Sequence, residues 1–290
     1  IVDKSKPSTH DLEPPTKQGL QLSSPAILSL GFLALIVIGT VLLSLPIATI
    51  QPISILAAAF TATSAVTVTG LNVVDTANYT TFGQLVIAAL IQFGGLGFMT
   101  FAILVLTSLQ GKMGLSGSIT AQEALGTHSN QIGSTAKAVI KIAFITEGLG
   151  FLGLTLLLAP LKGLKDAMYE AFFLCISAFN NAGFALNGNN MTAYVHQPMI
   201  SFIISLLIIT GGIGFLVILD IIKHKRWQKF TLHTKVMVLG TLALNIIGCI
   251  LYWLLERHNA KTIGGLSEAG QWFASWFMAV ASRTAGFNNI

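Results

Sequence analysis

The chain has 290 residues, of which 53% are hydrophobic and only 9% are charged, and its mean hydropathy is +0.75. Because soluble domains carry about a quarter charged residues, this composition excludes an ordinary soluble enzyme or binding domain. The formal net charge is +5, yet the basic residues form no aromatic-interleaved surface of the kind that binds nucleic acid. The sequence therefore predicts a protein of the lipid bilayer with no nucleic-acid partner.

Residues 1–24 are polar and contain three prolines and charges of both signs, which predicts a cytoplasmic N-terminal tail rather than a signal peptide. Beyond them the chain is organised around long apolar segments. A transmembrane helix needs roughly 20 mainly apolar residues, and five segments meet this requirement: 27–45, 84–106, 138–159, 199–222 and 235–255. The predicted fold class is therefore an all-α, polytopic protein that crosses the cell (plasma) membrane several times.

The lysines and arginines are unevenly divided between the two sides of the membrane if the N-terminus is placed inside. Eleven of the sixteen then lie in inner segments, and the cluster 223–229 contributes most. The outer connections hold the remaining five: Lys162, Lys165, Arg257, Lys261 and Arg283. This bias favours a cytoplasmic N-terminus, because basic residues concentrate in cytoplasmic loops.

Three shorter segments between the spans are apolar to amphipathic but too short or too interrupted to cross the membrane: 53–66, 166–179 and 267–282. Each leads into a glycine, and these glycines are Gly70, Gly183 and Gly286. Such segments are typical of re-entrant helices, whose irregular continuations are tolerated at membrane depth only inside protein or beside a water-filled cavity.

The three glycines mark an internal repeat with spacings of 113 and 103 residues (183 − 70 and 286 − 183). An aromatic residue stands ten positions before each glycine: Phe60, Phe173 and Trp276. Alanine stands five before, and a large apolar residue stands one after: Leu71, Phe184 and Phe287. The returning spans also agree, since the F-G-G-L-G-F of 93–98 is echoed by the G-G-I-G-F of 211–215. The sequence therefore predicts a parallel repeat, in which each unit consists of a span, a loop and a return span.

The repeat predicts the domain organisation. We expect a tail at 1–24, a first unit at 25–106, a cytoplasmic linker at 107–137, a second unit at 138–222, a basic cytoplasmic linker at 223–234 and a third unit at 235–290. The third unit has no return span before Ile290, so the natural protein is expected to continue.

The three glycine loops have the chemistry of a cation filter. A desolvated monovalent cation needs several oxygen ligands at once, which a ring of backbone carbonyls supplies, and glycine permits the backbone geometry. The helix before each loop would point its negative end at the cation. The expected lining residues are Thr67, Val68, Thr69 and Gly70; Asn180, Asn181, Ala182 and Gly183; and Arg283, Thr284, Ala285 and Gly286.

These loop sequences carry a family resemblance. The T-V-T-G-L of 67–71, the N-N-A-G-F of 180–184 and the R-T-A-G-F of 283–287 resemble the Ktr/Trk/HKT superfamily of potassium transporters, most closely the bacterial KtrB-type membrane subunits. The resemblance implies four M1-P-M2 units (two spans and a pore loop) around one pseudo-fourfold pore, of which this chain covers about two and a half. It also implies a homodimer and a cytoplasmic nucleotide-binding ring of separate KtrA-type subunits.

The resemblance also implies that this chain transports potassium and that the backbone carbonyls of the loop residues are the ligands of the ion. Sodium-selective relatives carry serine in the first loop, where this chain has Gly70, so potassium is favoured. No nucleotide or other cofactor is expected on this chain, and the gating segment would lie beyond Ile290. Phe60, Phe173, Trp276 and Arg283 are expected to support the filter.

Several other residues leave two interpretations open. Arg283 either tunes the filter from behind or forms an ordinary salt bridge, since a free guanidinium in lipid is costly. Glu147, inside a span, either serves transport or pairs with Lys141 or the helix backbone, and Asp220 is expected at the interface. Cys175 and Cys249 are interpreted as small buried hydrophobes. In the linker, Thr120 and Glu123 have capping-box spacing, which predicts a short helix.

Potassium uptake has three alternatives. A sodium-permeable or sodium-coupled transporter of the same architecture stays open. An unrelated secondary transporter is disfavoured, because its repeats are usually inverted and these are parallel. An enzyme is disfavoured because the sequence has no metal-ligand spacing of histidines, no phosphate-binding loop and few titratable residues in its apolar segments.

Overall fold

The computed structural model describes residues 24–110 and 132–290. The predicted tail, apart from Ser24, and most of the linker at 107–137, including the expected helix near Thr120, lie outside these ranges. Within them the chain is helical, apart from loops and one isolated bridge between Thr49 and Tyr79.

The helices are numbered here in chain order. They are α1 Ser24–Leu43, α2 Ile55–Val66, α3 Thr81–Gln110, α4 Ile132–Lys162, α5 Leu164–Phe179, α6 Pro198–Gly212, α7 Phe215–His224, α8 Leu232–Glu256 and α9 Glu268–Thr284.

Long apolar helices occupy the positions of the predicted spans. Two are long and apolar enough to cross a membrane over their described residues, Lys137–Lys162 within α4 and Leu232–Glu256, which is α8. In α1 and α3 the apolar stretches of the described part are shorter, Ser29–Leu43 and Thr81–Gly97. Many leucines and isoleucines of α8 are exposed, which is costly in water but costs little against acyl chains.

The three predicted re-entrant segments are the short helices α2, α5 and α9, and their bounds lie within two residues of the predicted ones at each end. Serine caps begin two of them. Ser54 accepts a hydrogen bond from the Ala57 amide at α2, and Ser267 accepts one from the Gly270 amide at α9. Such caps satisfy amide groups that have no partner inside the helix.

The predicted transmembrane helix at 199–222 is not a single helix. The chain instead forms two helices, α6 and α7, which are bent by 93° at the break around Ile213 and Gly214. Gly214 has a φ of +95°, a conformation that glycine reaches without steric cost. Hydropathy alone could not reveal this break, because apolar residues continue across it.

The connection from α7 to α8 is held by polar contacts. One oxygen of Asp220 accepts hydrogen bonds from the Thr231 amide and hydroxyl, both at 3.0 Å, and the other lies 2.6 Å from Nδ1 of His224. Asp220 thus orients the start of α8.

Two apolar clusters form the core, and each one joins neighbouring units. In the first cluster, α2 and α3 pack against Phe173, Ala182 and Phe184 of the second unit. In the other, α4, α5 and α6 pack against Phe277 and Phe287 of the third unit. Cys175 and Cys249 are buried free thiols.

Candidate functional site where three glycine loops meet

Each of the three loops begins at the carboxyl end of a short helix. Gly70, Gly183 and Gly286 have φ angles of +84°, +73° and +72°, so all three occupy the left-handed region that favours glycine. Val68 and Asn181, two residues before the first two glycines, also have positive φ, at 56° and 60°. Sequence reasoning did not foresee this strain, which costs roughly 1–2 kcal/mol for a residue with a side chain.

The loops are in direct backbone contact with one another. A Cβ atom at Gly70 would overlap the carbonyl oxygen of Ala182, and a Cβ at Gly183 would overlap the carbonyl oxygen of Ala285. No other described atom lies within 4 Å of the same position at Gly286. The second loop therefore lies between the first and the third, and the far side of the third is open.

The third loop departs from the sequence expectation. Helices α2 and α5 end four residues before their glycines, whereas α9 continues to Thr284, two residues before Gly286. In the first two loops the amide of the residue before the glycine bonds to a carbonyl five residues earlier, from Thr69 to Ser64 and from Ala182 to Ser177. In the third loop the amides of Ala285 and Gly286 both bond back to the carbonyl oxygen of Ala281. The expected lining strand is thus shorter here, because Arg283 and Thr284 are helical.

The glycines of the returning helices explain the F-G-G and G-G motifs. A Cβ at Gly94 would overlap the carbonyl oxygen of Val66, and a Cβ at Gly211 would overlap that of Phe179. Val66 and Phe179 are the last residues of α2 and α5. Each returning helix therefore packs tightly against the carboxyl end of the short helix before it, which a larger residue would prevent.

The second glycine of each motif faces the next loop along the chain. A Cβ at Gly95 would overlap the side-chain oxygen of Asn180, and one at Gly212 would lie 3.5 Å from Nη2 of Arg283. Asn180 and Arg283 both stand three residues before their loop glycines. Nε and Nη2 of Arg283 are buried without a hydrogen-bond partner, and no carboxylate among the described residues forms a salt bridge with it.

Side-chain hydrogen bonds add to the contact between loops. The hydroxyl of Thr284 donates to the side-chain oxygen of Asn181 over 2.7 Å. The hydroxyls of Thr67 and Thr69 form a hydrogen bond of 2.7 Å at the edge of the first loop, where both residues are exposed. The second loop is therefore fixed to the third, while the first loop has a free edge.

Asn190 is a loop contact that sequence reasoning missed. Its amide nitrogen donates to the carbonyl oxygen of Gly183 over 3.1 Å, and its side-chain oxygen accepts from the Asn288 amide over 3.4 Å. The carbonyl of Gly183 thus has a side-chain donor in addition to any ion. Asn190 itself has a φ of +53°, which asparagine tolerates better than most residues.

The connection after the second loop is anchored by a buried carboxylate. Glu170 accepts hydrogen bonds from Lys162 over 2.6 Å, from Asn187 over 3.0 Å and from the Tyr194 hydroxyl. Burial raises the pKa of the Tyr194 phenol above its usual value, so this hydroxyl stays a donor at neutral pH. The connection is held in place by these bonds.

The predicted supporting aromatics differ in their surroundings. Phe173 is 1% exposed and lies in the core with first-unit residues, and Trp276 packs against the core of the second unit. Phe60 is 41% exposed. The residues that follow the loop glycines show the same difference in exposure. Phe184 and Phe287 are buried, whereas Leu71 of the first loop is exposed.

Glu147 forms a polar network behind the second loop. It is 7% exposed and accepts a hydrogen bond from Nε2 of Gln92 over 3.0 Å. Oε1 of Gln92 in turn accepts from Nδ2 of Asn180 over 2.8 Å. The expected partners of Glu147, Lys141 or the helix backbone, do not appear among its described contacts. Gln92 lies 88 positions from Asn180, so no local pattern could have identified it.

Comparison with known proteins gives concordant matches. The family described as "TrkH: Cation transport protein" matches residues 24–290. The chain is 46% identical over 274 residues to Ktr system potassium uptake protein B of Bacillus subtilis (strain 168), covering 93% of this chain and 61% of that protein. It is 36% identical to the potassium/sodium uptake protein NtpJ of Enterococcus hirae, covering 93% of this chain and 60% of the relative.

A solved structure supports the same fold. The crystal structure of the potassium transporter TrkH from Vibrio parahaemolyticus matches with a TM-score of 0.60 and 19% identity, covering 98% of this chain and 54% of that one. The chain thus spans about three-fifths of the length of the relatives named above. The predicted resemblance is confirmed, and the family is one of membrane transport proteins, not enzymes. On these grounds the chain belongs to the TrkH family of cation transport proteins.

Proposed function

We propose that this chain forms the larger part of a potassium-conducting pore for uptake across the cell membrane. The observation that carries the proposal is the contact between loops, in which the carbonyl oxygens of Ala182 and Ala285 lie against Gly70 and Gly183. Backbone carbonyls that meet in this way can replace the hydration shell of a cation. The name of the relative from Bacillus subtilis, a potassium uptake protein, points to the same function.

The proposed architecture is a series of M1-P-M2 units around one pseudo-fourfold pore, of which this chain supplies about two and a half. The corresponding contacts of Gly94 and Gly211 with the helices before them support the repeat. Among the described residues, nothing lies within 4 Å of the Cβ position at Gly286, and Phe60 and Leu71 of the first unit are exposed. A fourth loop from a continuing chain would bury them, as Phe173 and Phe184 are buried by the first unit.

The proposed ion ligands are the backbone carbonyls of the loop residues predicted from the sequence. In the first two loops these are residues 67–70 and 180–183, and in the third they are 283–286. Because α9 extends to Thr284, the non-helical carbonyls of the third loop are those of Ala285 and Gly286. The carboxyl ends of α2, α5 and α9 add a favourable field for a cation, with Arg283 set back beside Gly212.

Potassium is preferred to sodium in this proposal because every loop centre is glycine. A serine at Gly70 would move a carbonyl out of the ring through its clash with Ala182. The alternative is a sodium-permeable or sodium-coupled transporter of the same architecture. The name of one relative, the potassium/sodium uptake protein NtpJ, supports this alternative.

The assembly is also a proposal. The relatives are named as parts of a Ktr system, which is consistent with a homodimer that works with a separate cytoplasmic nucleotide-binding ring of the KtrA type. The basic cluster around 223–229 would then face the cytoplasm, as would the N-terminus. The bound ion is potassium, and any nucleotide would be held by the ring.

The test is a flux measurement on the full-length protein that contains this chain, purified and reconstituted into vesicles. Potassium uptake and sodium uptake are measured under equal gradients, with protein-free vesicles as the control. We expect potassium flux well above the control and above the sodium flux. Equal fluxes would favour the sodium-permeable alternative, and no flux of either ion would refute the pore.

A further inference from the structure

The second loop is braced from behind by a chain of three polar side chains from three different elements. Asn180 caps the end of α5, Gln92 lies on α3 and Glu147 lies on α4. Asn180 donates to Gln92 over 2.8 Å, and Gln92 donates to Glu147 over 3.0 Å. A contact of 3.5 Å between Asn180 and Glu147 closes the triangle.

The hydrogen bonds of Asn180 fix its orientation. Its amide nitrogen has two hydrogens, and its two shortest contacts are Oε1 of Gln92 and the carbonyl oxygen of Ile176, the latter at 2.9 Å. One bond therefore holds Asn180 to its own helix and the other holds it to α3. The contact with Glu147 is the weakest of the three, so Glu147 acts on Asn180 mainly through Gln92.

The surroundings of Glu147 make this network stronger than a surface contact. Glu147 and Gln92 line a largely apolar pocket of about 420 Å³ whose walls include Phe93, Phe144 and Phe151. Among the described residues, its hydrogen-bond donors are the amides of Gln92 and Asn180. Hydrogen bonds to a carboxyl group in such a low-dielectric site are stronger than those in water, and a broken one leaves a buried polar group unpaired.

The brace is particular to the second loop. The equivalent residue in the first loop, Thr67, donates to Thr63 of its own helix, and in the third loop the equivalent residue is Arg283. The second loop also contacts both other loops. Its Ala182 lies against Gly70 of the first loop, and its Gly183 lies against Ala285 of the third. A shift of Asn180 would therefore move carbonyls at both contacts.

We propose that Glu147 is a positioning residue which, through Gln92, holds Asn180 in place and so sets the spacing of the second-loop carbonyls that distinguishes potassium from sodium. The inference rests on the proposed function and names a determinant of its specificity. Glu147 does not touch the ion, and its effect depends on hydrogen bonding rather than on its charge.

The test compares variants of the full-length protein by their KM values for potassium and sodium. Glu147→Leu and Gln92→Leu should each lower the ratio of sodium KM to potassium KM about tenfold, as expected for the loss of one buried hydrogen bond to a carboxyl group. Glu147→Gln keeps an acceptor for Gln92 and should stay within about threefold of wild type. The double variant should also lose about tenfold rather than a hundredfold, because the two residues act in one chain.

The matched control is Thr155→Val. Thr155 is a buried polar residue on the same helix, α4, and its hydroxyl has no hydrogen-bond partner in the described part of the chain. Removal of this hydroxyl should leave the ratio of sodium KM to potassium KM unchanged.

Three outcomes would overturn the proposal. The first is an unchanged ratio in both Leu variants while wild type transports potassium, and the second is a change confined to the amount of protein and the maximal rate. The third is a loss in Glu147→Gln as large as that in Glu147→Leu, which would assign the effect to charge. A wild type that carries no potassium would refute the proposed function as well, which separates the two failures.

Discussion

Gly70 and Gly183 each meet two separate demands at the residue level. Their positive φ angles are ones that other residues adopt at a cost of roughly 1–2 kcal/mol. Their missing side chains also make room for the carbonyl oxygens of Ala182 and Ala285. Asparagine or aspartate can satisfy the first demand in many proteins, but no residue with a Cβ satisfies the second. Glycine is therefore required at both positions on packing grounds alone.

Gly70→Ser should lower the preference of the full-length protein for potassium over sodium. The serine Cβ would displace the carbonyl oxygen of Ala182 and so distort the ring, and we expect the flux ratio to fall about tenfold, equivalent to about 1.4 kcal/mol. The measurement is the potassium-to-sodium flux ratio in vesicles. Gly240→Ser, on α8 with no described atom within 4 Å of the added Cβ, is the control. Equal ratios in wild type and Gly70→Ser would contradict the filter assignment.

Asn190→Gly should weaken potassium binding without straining the backbone. Glycine accepts the φ of +53° at this position, so the change removes only the side chain, which donates to the Gly183 carbonyl and accepts from the Asn288 amide. We expect the potassium KM to rise about threefold to tenfold, as for the loss of the hydrogen bond to the Gly183 carbonyl.

The exposed neighbour Asn189 provides the control for this change. Asn189→Gly removes the same side chain one residue earlier and should leave the KM unaltered. If both variants behave alike, the effect belongs to the flexibility of the loop and not to the hydrogen bond.

At the scale of helices, the short helices and their partners depend on close backbone approach. Gly94 of α3 and Gly211 of α6 lie against the carbonyl oxygens of Val66 and Phe179. These oxygens belong to the last turn of a helix, where carbonyls have no partner inside the helix. The contact holds the carboxyl end of each short helix at a fixed distance from the returning helix, and hence fixes where each loop begins.

Gly94→Ala should destabilise the protein, although the same change usually stabilises a helix. Alanine is favoured over glycine within a helix by about 1 kcal/mol, but the new Cβ would overlap Val66, and such overpacking costs about 1–3 kcal/mol. Gly97→Ala, about one turn later with no described atom within 4 Å of the added Cβ, should be neutral or stabilising. The measurement is the Tm of the purified full-length variants. A Tm for Gly94→Ala equal to or above that of Gly97→Ala would contradict the packing.

The sequence predicted the short helices well and the contacts between units poorly. The bounds of α2, α5 and α9 lie within two residues of the prediction, because composition and the glycine register are local signals. The break between α6 and α7 was missed, since its residues are as apolar as the span on either side. The bonds from Gln92 to Asn180 and from Asn288 to Asn190 join residues 88 and 98 positions apart, so they depend on the packing of helices that no single segment encodes.

For the described part of the molecule as a whole, the order of the three loops leaves one side without a neighbouring loop. Phe173 and Phe184 are buried against the first unit, and Phe287 is buried against the second. Phe60 and Leu71 of the first unit are exposed, and no described atom lies within 4 Å of the Cβ position at Gly286. A cyclic arrangement has a place for one more unit between the third and the first, and the proposed ring of carbonyls would close only when that place is filled.

Potassium itself should stabilise the full-length protein against unfolding. In the proposed ring, carbonyl oxygens of neighbouring loops face one another, and their partial negative charges repel unless a cation lies between them. A cation that binds the folded state alone adds about 2.7 kcal/mol at a hundred times its Kd, which should raise the Tm by a few degrees. The Tm is compared in potassium, sodium and choline chlorides at equal ionic strength. We expect the highest Tm in potassium, a lower one in sodium and the lowest in choline. The shift should shrink in Gly70→Ser and persist in Gly240→Ser, and a Tm that is the same in potassium and in choline would refute a bound ion at the loops.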